Sequence, residues 1–409
     1  MSTENAHKIK IGIVRESKIP VDWRVPLRPD HCKILLEQYP QVDLYIQPSD
    51  TRCFTNKEYT VLGIKMKEDL SDCDLLFGIK EIAEHLLIPN KKYLFFSHTA
   101  KKQPQNKKLL QAILEKHIEM IDYEGIKDDS GQRLIAFGRF AGIVGAYNSL
   151  LLYGRKYKLF DLKPAYKCYN YDELKSELKK LHLPAIKIVV TGSGRVGSGI
   201  CEVLDFLKIS KVDKQEFLTT RFDQTVYTQL LSEDYHVNKN GKPFDKNEFH
   251  LHPENFRSEF VPYTKAADIL IAGAFWHHLA PMLFTNEDMQ ANDFKVKLIG
   301  DVTCDFKGSI PSTIKPSTIY DPAYDYNPFT EGIEAPFSDE KNVTVMAIEN
   351  LPGELPRDAS SYFGELLIKN VLPDLLSGKF SELIERATIA RNGQLTERYK
   401  YLEDYVKKV

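Results

Sequence analysis

The hydrophobic pattern of the first 125 residues repeats one unit, in which a short apolar run ends near a charged or polar residue. The runs predict strands at residues 8–16, 42–48, 73–81, 93–99 and 118–124. Segments of helical periodicity, such as PDHCKILLEQY and NKKLLQAILEKH, lie between some of them. Strands that alternate with helices predict a parallel sheet in an α/β layer.

Residues 137–157, FGRFAGIVGAYNSLLLYGRKY, have the pattern of one long helix. Gly138, Gly142 and Gly145 fall on nearby turns of it, and small residues at this spacing favour close packing against a neighbouring element. A helix of this kind suits a connection between two domains.

A second set of apolar runs begins with IKIVVT at residue 186 and continues at 267–275, 296–305 and 342–350. Between the first two runs, residues 220–258 are polar and contain HVNKNGKPFDKNEF, which predicts a surface excursion or hairpin outside the core. An amphipathic, charged C-terminal region is predicted to be helical.

The strand at 186 leads into Gly192-x-Gly194-x-x-Gly197 and then into the helical pattern SGICEVLDFL. The first glycine allows a sharp turn, the second lets the backbone approach a pyrophosphate, and the third lets helix and strand pack closely. Ser193, Arg195 and Val196 lie within the same turn and helix start, whose N–H groups bind anions. Because strand, motif and helix occur together, the segment predicts a dinucleotide site.

Asp213, about 20 residues after the first glycine, is the candidate for binding the ribose hydroxyls. An acid at this place repels the extra phosphate of NADP and therefore favours NAD. Lys211 and Lys214 flank it and weaken that repulsion, so NAD is predicted and NADP stays open.

Composition narrows the class of protein. With 409 residues, 43% hydrophobic and 27% charged, the chain is long enough for two or three folded domains. The net charge is −2 and the cations are scattered, so no nucleic-acid or membrane partner is predicted.

The six cysteines have no CxxC spacing, which predicts reduced thiols and no metal site. The N-terminus MSTENAHK lacks an apolar leader and no run is long enough to span a membrane, so a cytoplasmic location is expected.

Lys80 and His98 are the candidates for acid–base chemistry, because each ends an apolar strand of one predicted sheet. A partly desolvated lysine near other cations has a lowered pKa, and histidine titrates near neutrality. Either residue alone is as well explained as a polar strand end facing solvent, but their matching positions favour catalysis. Ligands of open α/β sheets bind outside the carboxyl ends of the strands. The residues predicted to face one cleft are Lys80, His98, Glu124, Gly273 and Asp305.

Arg24 and Arg133 are candidates for binding substrate carboxylates through bidentate hydrogen bonds. An isolated arginine is more often a surface group, so the residue type alone does not decide this. Glu124 either tunes Lys80 or His98 by its charge or pairs with a nearby base.

These residues lie in longer segments that resemble the lysine-forming saccharopine dehydrogenases, including the lysine–2-oxoglutarate reductase half of the bifunctional animal and plant enzymes. The chain is similar, more distantly, to alanine dehydrogenase and the transhydrogenase subunit of the same architecture. The segments are IGIVRES…WRVPLRP, YIQPSDTRCF, LLFGIKE, YLFFSHTAKKQPQN, MIDYEGIKDDSGQRLIAFGRFAGIVG, TGSGRVGSG, DVTCDFKGSI and AIENLPGELPRDASSYFGELL. They extend over almost the whole chain.

The resemblance implies an α/β fold of two Rossmann-like domains with parallel sheets and a cleft between them. The substrate domain would comprise residues 1–138 and 338–409, and the dinucleotide-binding domain residues 139–337.

The resemblance also implies the roles of the site residues. Lys80 and His98 would be the acid–base pair, modulated by Glu124, while Arg24 and Arg133 hold substrate carboxylates. The implied cofactor-binding residues are Gly192, Ser193, Gly194, Arg195, Val196, Gly197, Asp213, Gly273 and Asp305, the last near the nicotinamide.

The implied reaction is the NAD(P)-dependent oxidation of saccharopine to lysine and 2-oxoglutarate, or its reverse. The polar excursion at 220–258 looks like that of the reductase half, which uses NADPH, and this also keeps NADP open. Two alternatives remain: an amino-acid dehydrogenase like alanine dehydrogenase, and a catalytically silent NAD-binding protein.

Overall fold

The computed structural model describes residues 8–407, and the chain divides into two compact units. The first unit comprises residues 8–137 together with 356–407, and the second comprises residues 138–355. The segment MSTENAHK, on which the expectation of no leader rests, falls almost wholly outside the described residues.

Residues 8–137 form short strands separated by helices. The strands are β1 (Ile9–Ile13), β2 (Val42–Ile46), β3 (Lys65–Met66), β4 (Leu75–Phe77), β5 (Lys92–Phe95) and β6 (Glu119–Asp122). The helices are α1 (Pro29–Gln38), α2 (Asn56–Val61) and α3 (Lys107–Glu115). The five strands predicted here are confirmed, and the two-residue β3 is an addition to them.

Residues 138–355 contain the long helix, the glycine motif and a second set of strands. The helices are α4 (Gly138–Lys156), α5 (Tyr171–Leu178), α6 (Arg195–Phe206), α7 (Lys214–Thr219), α8 (Lys246–Leu251), α9 (Val261–Ala266) and α10 (Asn286–Gln290). The strands are β7 (Lys187–Thr191), β8 (Ser210–Lys211), β9 (Val226–Leu230), β10 (His236–Asn238), β11 (Phe256–Ser258), β12 (Ile269–Ala272), β13 (Leu298–Asp301), β14 (Tyr324–Asn327), β15 (Gly332–Glu334) and β16 (Val343–Met346).

Residues 356–407 return to the first unit. They form α11 (Pro356–Asn370), α12 (Leu372–Leu375), α13 (Glu382–Ala387), β17 (Thr388–Arg391), β18 (Gln394–Leu395) and α14 (Glu403–Val406). The prediction of an entirely helical C-terminal region is wrong at β17 and β18. Charged residues on either side of the short apolar run in β17 hid it among the helical patterns.

The first sheet has eight strands in the order β18-β17-β6-β5-β4-β1-β2-β3. β1 to β6 are parallel, and β17 pairs antiparallel with β6. Helix α11 contributes Phe363 and Leu367 to the same apolar cluster as Ile11 and Phe77. The C-terminal segment therefore supplies both an edge and part of the core of this unit.

The second sheet also has eight strands, in the order β15-β14-β16-β13-β12-β7-β9-β8. β14 and β15 are antiparallel to their neighbours, and the other pairs are parallel. Both units therefore have the α/β fold that was predicted.

Two boundaries differ from the predictions. β9 lies inside the polar stretch 220–258 yet pairs along its full length with β7, so that stretch is only partly an excursion. The threonine and glutamine of β9 interrupt its apolar pattern, so the hydrophobic signal does not stand out from the polar loops on either side. The chain was predicted to return to the first unit at residue 338, which precedes β16. Since β16 pairs with β13 and β14 in the second sheet, the chain returns only after this strand, at Pro356.

Close packing of the glycines in α4 is confirmed within the second unit. A Cβ atom added to Gly142 would lie 2.0 Å from the carbonyl oxygen of Val196 in α6. One added to Gly199 of α6 would lie 2.1 Å from the carbonyl oxygen of Arg139. The two helix backbones therefore touch where any side chain would separate them, and this fixes α6 and the glycine motif.

Three further findings concern residues 8–407. No helix in this range is both long and apolar enough to cross a membrane. No group of three or more His, Cys, Asp or Glu side chains in it could hold a metal ion. All six cysteines are free thiols.

Candidate functional site

Strand register in the first sheet brings the predicted acid–base residues together. β1, β4, β5 and β6 are consecutive neighbours, and Phe77 of β4 pairs with Ile13 on one side and Leu94 on the other. Counting onward from these pairs places Glu16, Lys80, His98 and Glu124 just beyond the carboxyl ends of the four strands. The sequence prediction that Lys80, His98 and Glu124 meet at one edge of a sheet agrees with this placement.

Lys80 is held at its backbone by a half-buried acid, Glu16. The carboxylate of Glu16 accepts hydrogen bonds from the backbone N–H groups of Ile79, at 2.6 Å, and Lys80, at 2.9 Å. Burial lowers the pKa of the Lys80 ammonium, and the neighbouring charge of Arg24 lowers it further. Within residues 8–407 its Nζ has no hydrogen-bond or ion-pair partner, so this amine can take up a proton from a ligand.

His98 is oriented by Glu81, the residue after Lys80. Nδ1 of His98 lies 2.7 Å from Oε1 of Glu81, and the other oxygen of Glu81 accepts from Nζ of Lys18 at 2.7 Å. Burial alone would raise the pKa of Glu81, but the hydrogen bonds from His98 and Lys18 lower it to about 2. The imidazole also stacks on Phe96 with an interplanar angle of 16°. Nδ1 is thereby engaged, and Nε2 is the nitrogen available to a substrate.

Glu124 forms the third part of this charge network. Its Oε1 accepts from Nη2 of Arg133 at 2.7 Å and lies 3.9 Å from Nζ of Lys101. Burial raises the pKa of Glu124, but the charges of Arg133, Lys101 and His98 outweigh it and lower the pKa. Glu124 therefore remains ionised and adds negative charge beside His98.

Arg24 was predicted to bind a substrate carboxylate, but in the structure its guanidinium is paired with the carboxylate of Asp22. It is 3% exposed, and its Nε donates to Asp22 Oδ1 at 2.9 Å, with a second bond from Nη2 to Oδ2. The guanidinium also lies 4.1 Å from the ring centre of Phe137. This buried pair already uses a bidentate carboxylate, so substrate binding by Arg24 stays a prediction. Arg133, whose side chain is 37% exposed, is the more accessible of the two arginines.

The sequence prediction gave no role to Glu16, Asp22 or Glu81. The signal for Glu81 was present, since it follows Lys80 directly and two strands in parallel register bring it opposite His98. Glu16 carries a comparable signal at the end of β1, but its bonds to two backbone N–H groups depend on the order of strands in the sheet.

In the second unit, the glycine motif has the geometry that a pyrophosphate needs. Gly192 has a φ of +93°, and a Cβ atom there would lie 2.8 Å from the backbone nitrogen of Ala274. A Cβ atom on Gly197 would lie 2.0 Å from the carbonyl oxygen of Gly192. Gly194 caps the start of α6 and has no heavy atom within 4 Å of its Cβ position. A phosphate can therefore approach the backbone at Gly194, and the residues present fit a dinucleotide.

Gly273 and Asp305 follow strands at the same edge. Thr191, Ala272 and Asp301 end β7, β12 and β13 and pair across the sheet. The buried Asp301 carboxylate accepts from the backbone N–H groups of Thr303 and Cys304, both at 3.1 Å, and so shapes the loop that leads to Asp305.

The prediction for Asp213 rests on its distance along the chain from the first glycine, and it stays a prediction. Asp213 follows β8, whereas the strand next to β7 is β9, and β8 lies outside β9. Asp213 Oδ1 accepts from the backbone N–H of Gln215 at 2.8 Å and caps α7. The residues that follow β9 are Leu231, Ser232 and Glu233.

Comparisons with known proteins show what this chain is similar to. Residues 12–144 match the family model "Alanine dehydrogenase/PNT, N-terminal domain". The chain is 31% identical to alpha-aminoadipic semialdehyde synthase of Mus musculus, over 97% of this chain and 48% of that protein. It is 26% identical to the NAD(+), L-lysine-forming saccharopine dehydrogenase of Schizosaccharomyces pombe, over 88% of this chain and 91% of that protein.

Residues 12–144 therefore form an alanine dehydrogenase/PNT N-terminal domain, and the chain is homologous to alpha-aminoadipic semialdehyde synthase and to saccharopine dehydrogenase. A solved L-alanine dehydrogenase shares its fold, with a TM-score of 0.61 at 15% identity over 97% of this chain and 98% of that one. The chain spans about half the length of the semialdehyde synthase that it matches. The saccharopine dehydrogenase and the L-alanine dehydrogenase are oxidoreductases by name, and the predicted resemblance is confirmed.

Proposed function

We propose that this chain is a nicotinamide-dinucleotide-dependent oxidoreductase that acts on the CH–NH group of saccharopine. It would cleave saccharopine to lysine and 2-oxoglutarate, or condense these in reverse. The observation that carries the proposal is the pair of Lys80, with its lowered pKa, and His98, held by Glu81, at the ends of neighbouring strands. Relatives named saccharopine dehydrogenase support the choice of substrate.

The glycine loop would hold the pyrophosphate on the N–H groups that begin α6, with Gly273 and Asp305 toward the nicotinamide. A nicotinamide held there would supply the two-electron step, as acceptor of a hydride from the carbon of the glutamate moiety next to the bridging nitrogen. The first acidic residue after β9 is Glu233, two residues beyond Leu231, so the position directly after the strand carries no negative charge to repel the phosphate of NADP. We propose NAD as cofactor and leave NADP open.

In the oxidative direction, Lys80 prepares the amine for this step. A protonated amine has no lone pair to form the C=N bond, so Lys80 first accepts its proton. A lowered pKa keeps part of the Lys80 population neutral and able to do this.

His98 would then act in hydrolysis of the imine. Its Nε2 takes a proton from the attacking water, and the protonated pair returns protons to the nitrogen as the carbinolamine collapses. Saccharopine, water and oxidised cofactor thus give lysine, 2-oxoglutarate, reduced cofactor and one proton. The negative charges of Glu81 and Glu124 favour the protonated imidazole that forms between the attack of water and the collapse of the carbinolamine.

The proposal places substrate carboxylates near Arg133, whose guanidinium is partly exposed beside Glu124. Arg24 would contribute positive charge from its buried pair with Asp22, and a direct contact with substrate would require that pair to rearrange.

A substrate and cofactor panel tests the proposal. The full chain is assayed for NADH and NADPH oxidation with lysine plus 2-oxoglutarate, and separately with pyruvate plus ammonia. We expect turnover with the first pair. Turnover only with pyruvate and ammonia would select the alanine dehydrogenase alternative, and cofactor binding without turnover of either pair would select the silent protein.

A further inference from the structure

A small cavity in the second unit contains a carboxyl group that the proposed reaction does not use. Glu354 ends the single helical turn Leu351–Glu354 and is 2% exposed. Its Oε1 accepts from Nδ2 of Asn148 at 2.8 Å, and the backbone N–H of Tyr166 also donates to it. In the described part of the chain it has no ion pair. An ionised carboxylate buried without a counter-charge is unfavourable by several kcal/mol, so a bound cation would stabilise the ionised form of Glu354.

The cavity has a volume of about 60 Å³ and combines this carboxyl with apolar and aromatic walls. Leu151 and Leu152 lie one turn beyond Asn148 on the same face of α4. Tyr166 and Tyr320 stand on the other side, with ring centroids 5.2 Å apart at 77°. Arg155 also lines the cavity, but its Nε donates to Asp161 at 2.6 Å, so its charge is partly neutralised.

The chemistry of the residues that line the cavity favours one class of cation. Calcium and magnesium need six or more oxygen ligands, whereas here one carboxylate faces leucines, and the Asn148 amide presents its NH₂ group to that carboxylate. An alkylammonium ion matches better, because its charge pairs with the carboxylate, its methylenes contact leucine, and tyrosine faces attract ammonium groups. At roughly 10–15 Å³ for each water-sized group, the cavity admits about four to six such groups.

We propose that this cavity is a binding site for a primary alkylammonium ion of a few non-hydrogen atoms, with the carboxylate of Glu354 as its counter-charge. The site is independent of the proposed reaction, because none of its residues belongs to the acid–base network or the glycine loop.

Binding should depend on pH with a definite sign. Burial raises the pKa of Glu354 to about 8, so the group is mostly protonated near neutrality. A cation binds the ionised form, so each binding event near neutrality releases a proton. Affinity should rise about tenfold per pH unit up to that pKa and level off above it. The other titratable or charged groups facing the cavity are Arg155, Tyr166 and Tyr320, and alkylammonium stays charged because its pKa resembles that of lysine.

The test uses the full chain and methylammonium chloride, about one pH unit above the pKa of Glu354. Binding is measured by calorimetry and by the midpoint of thermal unfolding, with tetramethylammonium chloride at equal ionic strength as the control ligand. We expect saturable binding of methylammonium and none of tetramethylammonium, which has no N–H group to donate to the carboxylate and is bulkier. Equal effects of the two salts would overturn the proposal.

Glu354→Gln keeps the acceptor for Asn148 but removes the charge, and it should weaken methylammonium binding at least tenfold. The matched control is Glu177→Gln, since Glu177 is also buried in this unit but pairs with Lys180. Tyr320→Leu, at a residue 66% exposed, tests the site without disturbing the core and should weaken binding severalfold. Unchanged affinity in Glu354→Gln would refute the site. If that variant does not fold, unchanged affinity in Tyr320→Leu would refute it.

Discussion

At the scale of single residues, the candidate site is defined by how neighbours set the charge of Lys80 and His98. Replacing Lys80 by Met or His98 by Gln should lower kcat by about 10²–10⁴-fold each, because each removes one proton-transfer group. The dissociation constant of the reduced cofactor should stay near normal, since the glycine loop is in the other unit. Steady-state kinetics and cofactor fluorescence measure the two effects.

The matched control for these variants is Lys108→Met, which removes an exposed lysine of α3 and should leave kcat unchanged. Full activity in both the Lys80 and His98 variants would show that the acid–base assignment is wrong.

The pH dependence of kcat/KM for saccharopine provides a sharper test, because two neighbours of Lys80 act with opposite sign. The negative charge of Glu81 raises the pKa of Lys80, and the positive charge of Lys18 lowers it. With a pKa of about 2, Glu81 is ionised over the whole working range. Lys80 must be neutral to act as a base, so activity rises with pH as it loses its proton.

Glu81→Gln should therefore move this rising limb to lower pH, and Lys18→Met should move it to higher pH. Each shift should be on the order of one pH unit or less. Shifts in the same direction would exclude Lys80 as the group that titrates in this limb.

The sequence located Lys80, His98 and Glu124 because each directly follows an apolar strand, and strand ends are visible in a hydrophobic pattern. It did not find the pairing of Glu81 with His98, the Asp22–Arg24 pair or the hydrogen bonds of Glu16 to the backbone just beyond β4. Those contacts depend on which strands are neighbours, and the order β6-β5-β4-β1 is set by packing of the whole sheet.

At the scale of elements, the turn from β7 into α6 separates two functions of glycine. Gly197→Ala would place Cβ 2.0 Å from the carbonyl oxygen of Gly192, and the backbone shift should destabilise the protein by about 1–3 kcal/mol. Gly194→Ala has no atom to strike within 4 Å, so the fold should be unaffected. Its methyl group would instead stand where a pyrophosphate approaches and weaken cofactor binding about tenfold.

Thermal unfolding and cofactor titration of the two variants check this contrast, with each variant as the control for the other. Normal cofactor affinity in a folded Gly194→Ala protein would contradict the proposed position of the pyrophosphate.

The strand order of the second sheet leads to a prediction on cofactor preference. Since β9 is the neighbour of β7, a carboxylate introduced just after β9 should repel the phosphate of NADP. Ser232→Asp should lower kcat/KM for NADPH about tenfold relative to NADH, equivalent to about 1.4 kcal/mol. Asp213→Asn should leave the NADPH to NADH ratio within about twofold, and asparagine preserves the cap of α7. A changed NADPH to NADH ratio in Asp213→Asn, with an unchanged ratio in Ser232→Asp, would instead support Asp213 as the ribose-binding acid.

Strand β9 also shows which part of the fold the hydrophobic pattern does not predict. The strands of the first unit were predicted because each apolar run stands alone between polar segments. β9 was missed because its threonine and glutamine interrupt the apolar pattern, and polar segments precede and follow it. Its place beside β7 comes from pairing along five residues, which the local sequence does not encode.

At the scale of the whole molecule, each unit has its own apolar core. Two apolar clusters lie in the first unit, and a third, around Val189, Leu270 and Ile299, lies in the second. The first unit is assembled from both ends of the chain, since Phe363 of α11 stacks on Phe137 with ring centroids 4.6 Å apart and also contacts Tyr123 at 5.0 Å.

This organisation predicts different behaviour for two fragments. Residues 138–355 alone should unfold cooperatively in denaturant and bind reduced cofactor within a fewfold of the affinity of the full chain, because they retain the glycine loop and a complete core. Residues 1–137 alone should not fold, because without α11 and β17 the aromatic cluster and the edge of β6 would be exposed to water. Circular dichroism with denaturant and cofactor fluorescence measure both results. A cooperatively folded 1–137 fragment would show that the C-terminal segment is an addition to this unit and not part of its core.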